Sequence, residues 1–300
     1  MYGECKSRLD PRLKPWACGG YFVNLSLHRK SDTIRVIQGF VHRQAEQWAI
    51  ISDLHSLFLD EKAFALFLAI YRDAPFTHLC INGDLLDFPV LSEHKQRIGQ
   101  LRPDILDTYD IESEVEYVRE SILAPLHRTK PNVKTLVRLG NHEQRFITPT
   151  RDNARALAEI LSLSRWNKST QLEDILGLSK FNARLSYSGV DILHGTFALI
   201  HGVKTAEGAA RANLRKYGSG TSGHSHRANS YLESHVGGVR GWYESGCLRT
   251  IRDIEYLPHG EIPNWQQGFL SLAIRPSGWF CCQTHLIVNG KCFFRGTLYQ

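Results

Sequence analysis

From residue 47 onward, short apolar runs alternate with longer stretches of helical period. Residues 48–52 form a compact apolar run that ends in a polar loop, as a buried strand does. Residues 61–73 carry Phe64, Leu66, Phe67 and Ile70 along one broad side, which predicts a helix. Residues 76–82 predict a second strand, and 111–127 a helix whose acidic start (Glu112, Glu114, Glu116) suits the helix dipole. Residues 133–139 predict a third strand, and this β-α-β-α-β order predicts a sheet with crossover helices. Residues 151–181 have helical character and read as an insert, either a cap over a site or packed scaffold. Two strands follow, around VDIL and FALI, and then a helix over 205–217. Beyond Ser219 the chain is strand-rich, with turns at Gly237-Gly238, at 276–278 and at Asn289-Gly290, the last a hairpin signal. Ahead of all this, YFVNLSL and TIRVIQGF flank the polar HRKSD and predict a β-hairpin. Residues 1–46 therefore read as an N-terminal extension and 47–300 as the main domain.

Composition narrows the class without deciding it. Hydrophobic residues are 42% and charged residues 22% of the 300, which excludes collagen-like, coiled-coil and disordered chains. No apolar run approaches a bilayer span, so no membrane partner is expected. The opening MYGECKSRLDPRLKPW holds charge and proline where a signal peptide needs an apolar stretch, so the expected location is cytoplasmic. Seven cysteines with no C-x-x-C pair predict reduced thiols rather than a disulfide or thiolate-zinc framework. Of the net charge of +6, residues 1–46 contribute +4. Such an arm suits phosphate-bearing partners, nucleic acid among them, or is a solvated face.

The chemistry sits where the apolar runs stop. The first strand runs into Asp53-Leu54-His55, the second into Gly83-Asp84-Leu85-Leu86-Asp87 and the third into Gly140-Asn141-His142-Glu143. A later run ends at His201-Gly202, and another segment delivers Gly223-His224-Ser225-His226. Ligands of open α/β sheets bind beyond the carboxyl ends of the strands, so five loops rich in Asp, Asn and His are expected to converge on a metal site. The series D-x-H, G-D-x-x-D, G-N-H-E, H and G-H-x-H resembles the calcineurin-like metallophosphoesterase family over roughly residues 48–230. The stretch PNWQQGF (263–269) is similar to bacterial and phage members and extends the resemblance to about residue 275.

The resemblance implies an α/β fold, a four-layer α-β-β-α sandwich of two mixed sheets, carrying two divalent ions. Asp84 would bridge them, with Asp53, His55 and His226 on one ion and Asn141, His201 and His224 on the other. Oxygen and imidazole ligands without thiolate suit manganese, iron or zinc, manganese first. A metal-bridging hydroxide is the expected nucleophile. His142 matches the family's catalytic histidine, a general acid or a phosphate clamp, and Asp87 is placed to orient it or else to cap a helix. His194 and His201 both end an apolar run. His201 is preferred because a helix and a short connection to GHSH follow it, which leaves His194 in a hairpin turn. Arg145 and Arg227 are candidate substrate contacts, whereas Phe88 stands where protein phosphatases of this superfamily place a phosphate-gripping arginine. The expected activity is hydrolysis of a phosphate monoester or diester. Its alternatives are a DNA nuclease resembling double-strand-break repair phosphoesterases and a non-catalytic binding member. Members of that last kind usually lack a ligand or the histidine, and none is missing here.

Overall fold

A strand buried on both faces needs apolar side chains at every position, and β1 (Glu46–Ile51) meets that demand over its last four residues. In the computed structural model, which describes residues 45–91, 110–147, 171–252, 254 and 261–300, Trp48 and Ile50 face one way and Ala49 and Ile51 the other. Strands β2 (His78–Asn82), β3 (Lys134–Arg138) and β4 (Ala183–Ser186) follow parallel to it on one side. On its other side β10 (Gln267–Ile274) and β11 (Phe280–Ile287) pair antiparallel, giving the order β11-β10-β1-β2-β3-β4. The second sheet is made of β5 (Asp191–Leu193), β6 (Phe197–Leu199), β7 (Gly220–Ser222), β8 (Ala228–His235) and β9 (Gly238–Ser245). Its order is β5-β6-β7-β9-β8, with β6, β7 and β9 mutually parallel and an antiparallel strand at each edge. A terminal hairpin, β12 (Cys292–Phe294) and β13 (Thr297–Tyr299), turns at Arg295-Gly296, both at positive φ.

Helix α1 (Glu61–Asp73) begins where the Asp60 carboxylate accepts the amides of Lys62 and Ala63 at 3.1 and 3.0 Å, and stops at Ala74, just before Pro75. The second crossover is one continuous rod: α2 (Ile111–Tyr117), a π-helical stretch Val118–Leu123, and α3 (Ala124–Thr129). Shorter helices are α4 (Asn141–Ile147), α5 (Leu172–Leu176) and α6 (Ala209–Tyr217).

Three apolar clusters separate the layers. Phe67, Ile70, Val118, Ile122 and Leu176 from the helices cover Ala49, Ile51, Leu79 and Ile81 on the outer face of the first sheet. Trp48, Ile50 and Leu136 meet Phe197, Leu199 and the β10 residues Leu270 and Leu272 between the sheets. Ala210 and Leu214 of α6 cover Ala198, Ile200 and Trp242 on the outer face of the second. The chain is thus an α/β protein of two mixed sheets with helices packed against them, as expected.

The expected basic hairpin falls in residues 1–44, outside the described residues, as do residues 151–170 of the helical insert. The remainder of that insert, 171–181, buries Leu172, Ile175, Leu176 and Leu178 in the helix-side core. The helix expected over 205–217 starts only at Ala209, after a turn whose Thr205 and Ala206 carbonyls accept from the Arg227 guanidinium. Cys80, Cys247, Cys281, Cys282 and Cys292 are all free thiols. No described helix is long and apolar enough to cross a membrane.

Candidate metal centre

Parallel strands end at a common edge, and the two sheets bring their carboxyl ends to the same place. Beyond β1 lie Asp53 and His55, beyond β2 Asp84 and Asp87, and beyond β3 Asn141 and His142. From the second sheet, His201 follows β6, and His224 and His226 follow β7. The loops are tight. Asp53, His55, Asp84, His224 and His226 have φ of 55°, 47°, 50°, 66° and 55°, a left-handed region that costs a residue other than glycine about 1–3 kcal/mol. Cross-links hold them there: the Asp53 amide donates to the Gly83 carbonyl (3.1 Å) and the His55 amide to that of Asp84 (2.9 Å). The His224 amide donates to both carboxylate oxygens of Asp53 at 3.1 and 3.0 Å.

Asp84 is the hub. Its Oδ2 lies 3.2 Å from His201 Nε2, 3.8 Å from His55 Nε2 and 3.9 Å from His142 Nε2, while Oδ1 accepts the His142 amide at 3.0 Å. On one side, His226 Nε2 is 3.2 Å from Asp53 Oδ1 and 3.1 Å from His55 Nε2. On the other, His201 Nε2 is 3.1 Å from Asn141 Oδ1. Candidate ligand atoms fall into the groups Asp53–His55–His226 and Asp84–His201–His224, joined by His55–Asp84–His142, with at most 4.8 Å between atoms of a group.

Hydrogen bonds made by the opposite ring nitrogens fix what the inner ones present. His201 Nδ1 donates to the Asn82 carbonyl (2.9 Å) and His55 Nδ1 to Asp87 Oδ1 (2.9 Å). In a neutral ring each Nε2 then turns a lone pair inward, toward the carboxylate of Asp84, the amide oxygen of Asn141 or the ring nitrogen of His226. Acceptor set against acceptor is repulsive unless a cation lies between. Part of that demand is met by protons: burial alone would lower the His201 pKa, but Asp84 outweighs it and raises it to about 10. Burial opposes ionisation of Asp53 as well, yet the charges of His226 and His201 bring it to about 2, and Asp84 is held well below the usual carboxylate range. His55, pushed down to about 3 by burial and by the charges of His142 and Arg249, stays neutral. Buried carboxylates and imidazoles without thiolate suit a divalent cation, which would take the place of the His201 proton.

His142 differs from its neighbours in how it is tethered. Its Nδ1 is 2.8 Å from the Asp87 carbonyl and 3.0 Å from Asp87 Oδ1, so Nε2 faces the cavity. Burial would lower its pKa, but Asp84 and Asp87 raise it, favouring the protonated ring. One carboxylate oxygen of Asp87 is shared between His55 and His142. Arg145 presses its guanidinium against the His142 ring at 3.2 and 3.3 Å, donates to the Asp87 carbonyl at 3.3 Å, and does not line the cavity. Arg227 does line it, although one nitrogen is tied to the carbonyls of Thr205 and Ala206. Phe88 is fully buried against Phe146, away from the cavity wall. His194 turns the β5–β6 hairpin and meets Glu46 at 3.2 Å, apart from the metal-ligating groups.

Several residues support the centre in roles that the motif pattern does not specify. Glu143, buried beneath the centre, accepts the amides of Asp84, Leu86 and Gly140 at 3.1, 2.8 and 2.8 Å and so ties two of the loops together. Glu114 belongs to the acidic helix start, where the dipole alone would explain it. It is buried, accepting the Ser56 hydroxyl and the amides of Asp87 (2.6 Å) and Phe88 (3.3 Å). Gly140 leaves room for the hub, since a Cβ there would collide with Asp84 Oδ1 and lie 2.8 Å from its Cγ. Gly140→Ala is therefore expected to displace Asp84. The loss of stability should be about 1–3 kcal/mol, as for other overpacked sites, and metal content should fall; denaturant unfolding and elemental analysis would register both.

A cavity of about 430 Å³ opens above the centre, lined by His55, Asp84, Asn141, His142, His224 and His226 and closed on one flank by Arg227, Arg249 and Trp265. In motif set and layering the chain resembles the calcineurin-like metallophosphoesterases. No family model matches it, and no curated protein does. Solved structures of similar outline include a single mutant of Vps29 from Entamoeba histolytica, 12% identical with a TM-score of 0.39 over 82% of this chain and 97% of that one. A metallophosphoesterase from Sphaerobacter thermophilus is 15% identical with a TM-score of 0.39, over 81% of this chain and 88% of that one. A predicted phosphoesterase from Streptococcus pneumoniae is 14% identical with a TM-score of 0.35, over 86% and 97%. Likeness at this level assigns neither activity nor substrate.

Proposed function

We propose that the chain is a dinuclear metal-dependent phosphoesterase. The observation that carries this reading is the convergence of the His201, His55 and His142 Nε2 atoms on Asp84 Oδ2, within 3.9 Å of it. Asp53, His55 and His226 would hold one divalent ion and Asn141, His201 and His224 the other, with Asp84 shared. Such a pair supplies Lewis acidity at phosphoryl oxygens and a water of near-neutral pKa.

The protein's own residues do the rest. Asp87 holds the His142 ring through Nδ1, so Nε2 can pass a proton to the departing alkoxide. Arg145 steadies that ring from outside, and Arg227 forms part of the wall a substrate must pass. Phe88, the residue directly after G-D-x-x-D, is turned into the core and offers the cavity no guanidinium, so a small or nucleotidic phosphate ester suits the cavity better than a phosphoprotein.

The test is turnover of bis-p-nitrophenyl phosphate and p-nitrophenyl phosphate by the full chain with and without Mn²⁺. Metal-dependent hydrolysis of either is expected, and absence of both with two ions bound would leave a binding protein. Ligand assignment has its own check. His201→Ala should strip one ion per chain while His194→Ala leaves metal content at the wild-type value; the reverse pattern would move the ligand to the hairpin turn.

A further inference from the structure

Away from the five motif blocks, a buried arginine stands in the wall of the same cavity. Arg249, in the loop after β9, is only 3% exposed yet lines the cavity beside His55, His226 and Asp84. Two aromatic rings lie against its guanidinium: the carbon centre is 4.8 Å from the Phe58 ring and 5.2 Å from that of Trp265. A ring near a guanidinium attracts its charge without using its N–H donors, which lie in the guanidinium plane. Trp265 in turn meets His226 edge-on, with ring centroids 4.2 Å apart, so the clamp is fixed to one of the candidate metal ligands. The backbone around Arg249 is equally fixed. Its carbonyl accepts from Gln267 at 2.9 Å, and it bridges to Leu59 next to the His55 loop.

A fixed, buried cation beside a centre built to gather divalent cations is repelled by them. The arrangement becomes favourable when an anion lies between, because that anion then meets positive charge from both sides in a site of low dielectric. Arg145 sits behind the His142 ring, outside the cavity, and Arg227 is anchored to backbone carbonyls at its rim. We propose that Arg249, held against Phe58 and Trp265, binds the phosphoryl oxygens of the substrate. This gives the CLRT and PNWQQGF segments a shared purpose: one supplies the guanidinium, the other the ring that aims it. The inference rests on the phosphoesterase reading for its substrate, and inorganic phosphate tests it without turnover.

The experiment is calorimetric titration of inorganic phosphate into the full-length, Mn²⁺-loaded protein, alongside KM and kcat for bis-p-nitrophenyl phosphate. Arg249→Gln keeps a planar side chain and removes the charge. It should weaken phosphate binding about 10- to 100-fold, the range of a charge-assisted hydrogen bond, and raise KM more than it lowers kcat. Arg249→Lys keeps the charge but not the fork and should fall between wild type and Arg249→Gln. Metal content should be unchanged in both. Phosphate affinity equal to wild type in the two variants would overturn the inference while leaving the hydrolase reading intact. A wild-type protein that binds phosphate in an Arg249-dependent way but turns over no ester would do the opposite. Failure of metal-loaded wild type to bind phosphate at all would overturn both.

Discussion

Asp84→Asn is expected to fold, to lose both ions and to hydrolyse nothing at a measurable rate. A single oxygen of this carboxylate faces three imidazoles, and it lies within reach of candidate ligands of both ions, His55 at 3.8 Å and His201 at 3.2 Å. Asparagine preserves shape and the acceptor for the His142 amide but removes the negative charge on which both ions depend. The cost should exceed the roughly 10- to 100-fold penalty known for losing a partner that merely supports a metal ligand. Stability gives a second readout. Ions that bind only the native state stabilise it by mass action, so a chelator should lower the Tm of wild type and leave that of Asp84→Asn unmoved. Equal chelator shifts in both proteins would remove Asp84 from the metal centre.

His142→Ala should behave in the opposite sense, keeping both ions and losing rate. Its Nδ1 is spent on Asp87, and its Nε2 is 3.9 Å from Asp84 Oδ2, farther out than His201. A poor alkoxide leaving group needs a proton in the transition state, and a positioned general acid contributes roughly 10²–10⁴-fold to such a step. p-Nitrophenolate leaves without that help, so its esters should suffer far less. Asp87→Asn should reproduce the pattern in milder form, since the ring keeps its bond to the residue-87 carbonyl but loses the charge that favours its protonated form. Equal losses on both leaving groups would make His142 a phosphate clamp, and loss of an ion would make it a ligand.

How far the sequence speaks depends on the range of the interaction. Local patterns carry well: α1 occupies the 61–73 window set by the spacing of Phe64, Phe67 and Ile70, and the first three strands lie on their apolar runs. Strand ends carry well too, because the parallel order that brings Asp53, Asp84 and Asn141 to one edge follows from the β-α-β rhythm. Interactions between distant segments are not legible. Glu114 lies in a helix whose acidic start is explained by the dipole alone, and nothing local reveals that its carboxylate reaches 27 residues back to the Asp87 amide. Arg249 is unmarked for the same reason, its aromatic partners lying in loops on either side of it in sequence. The turn at Arg295-Gly296 lacks the Asn-Gly signature, and arginine enters the left-handed region there without a sequence signal to mark it.

Metal stoichiometry of the full-length wild-type protein tests the central claim most directly. After loading with Mn²⁺ and removal of free ion, elemental analysis should find two ions per chain, released together by chelator. One ion or none would contradict a dinuclear centre built around Asp84.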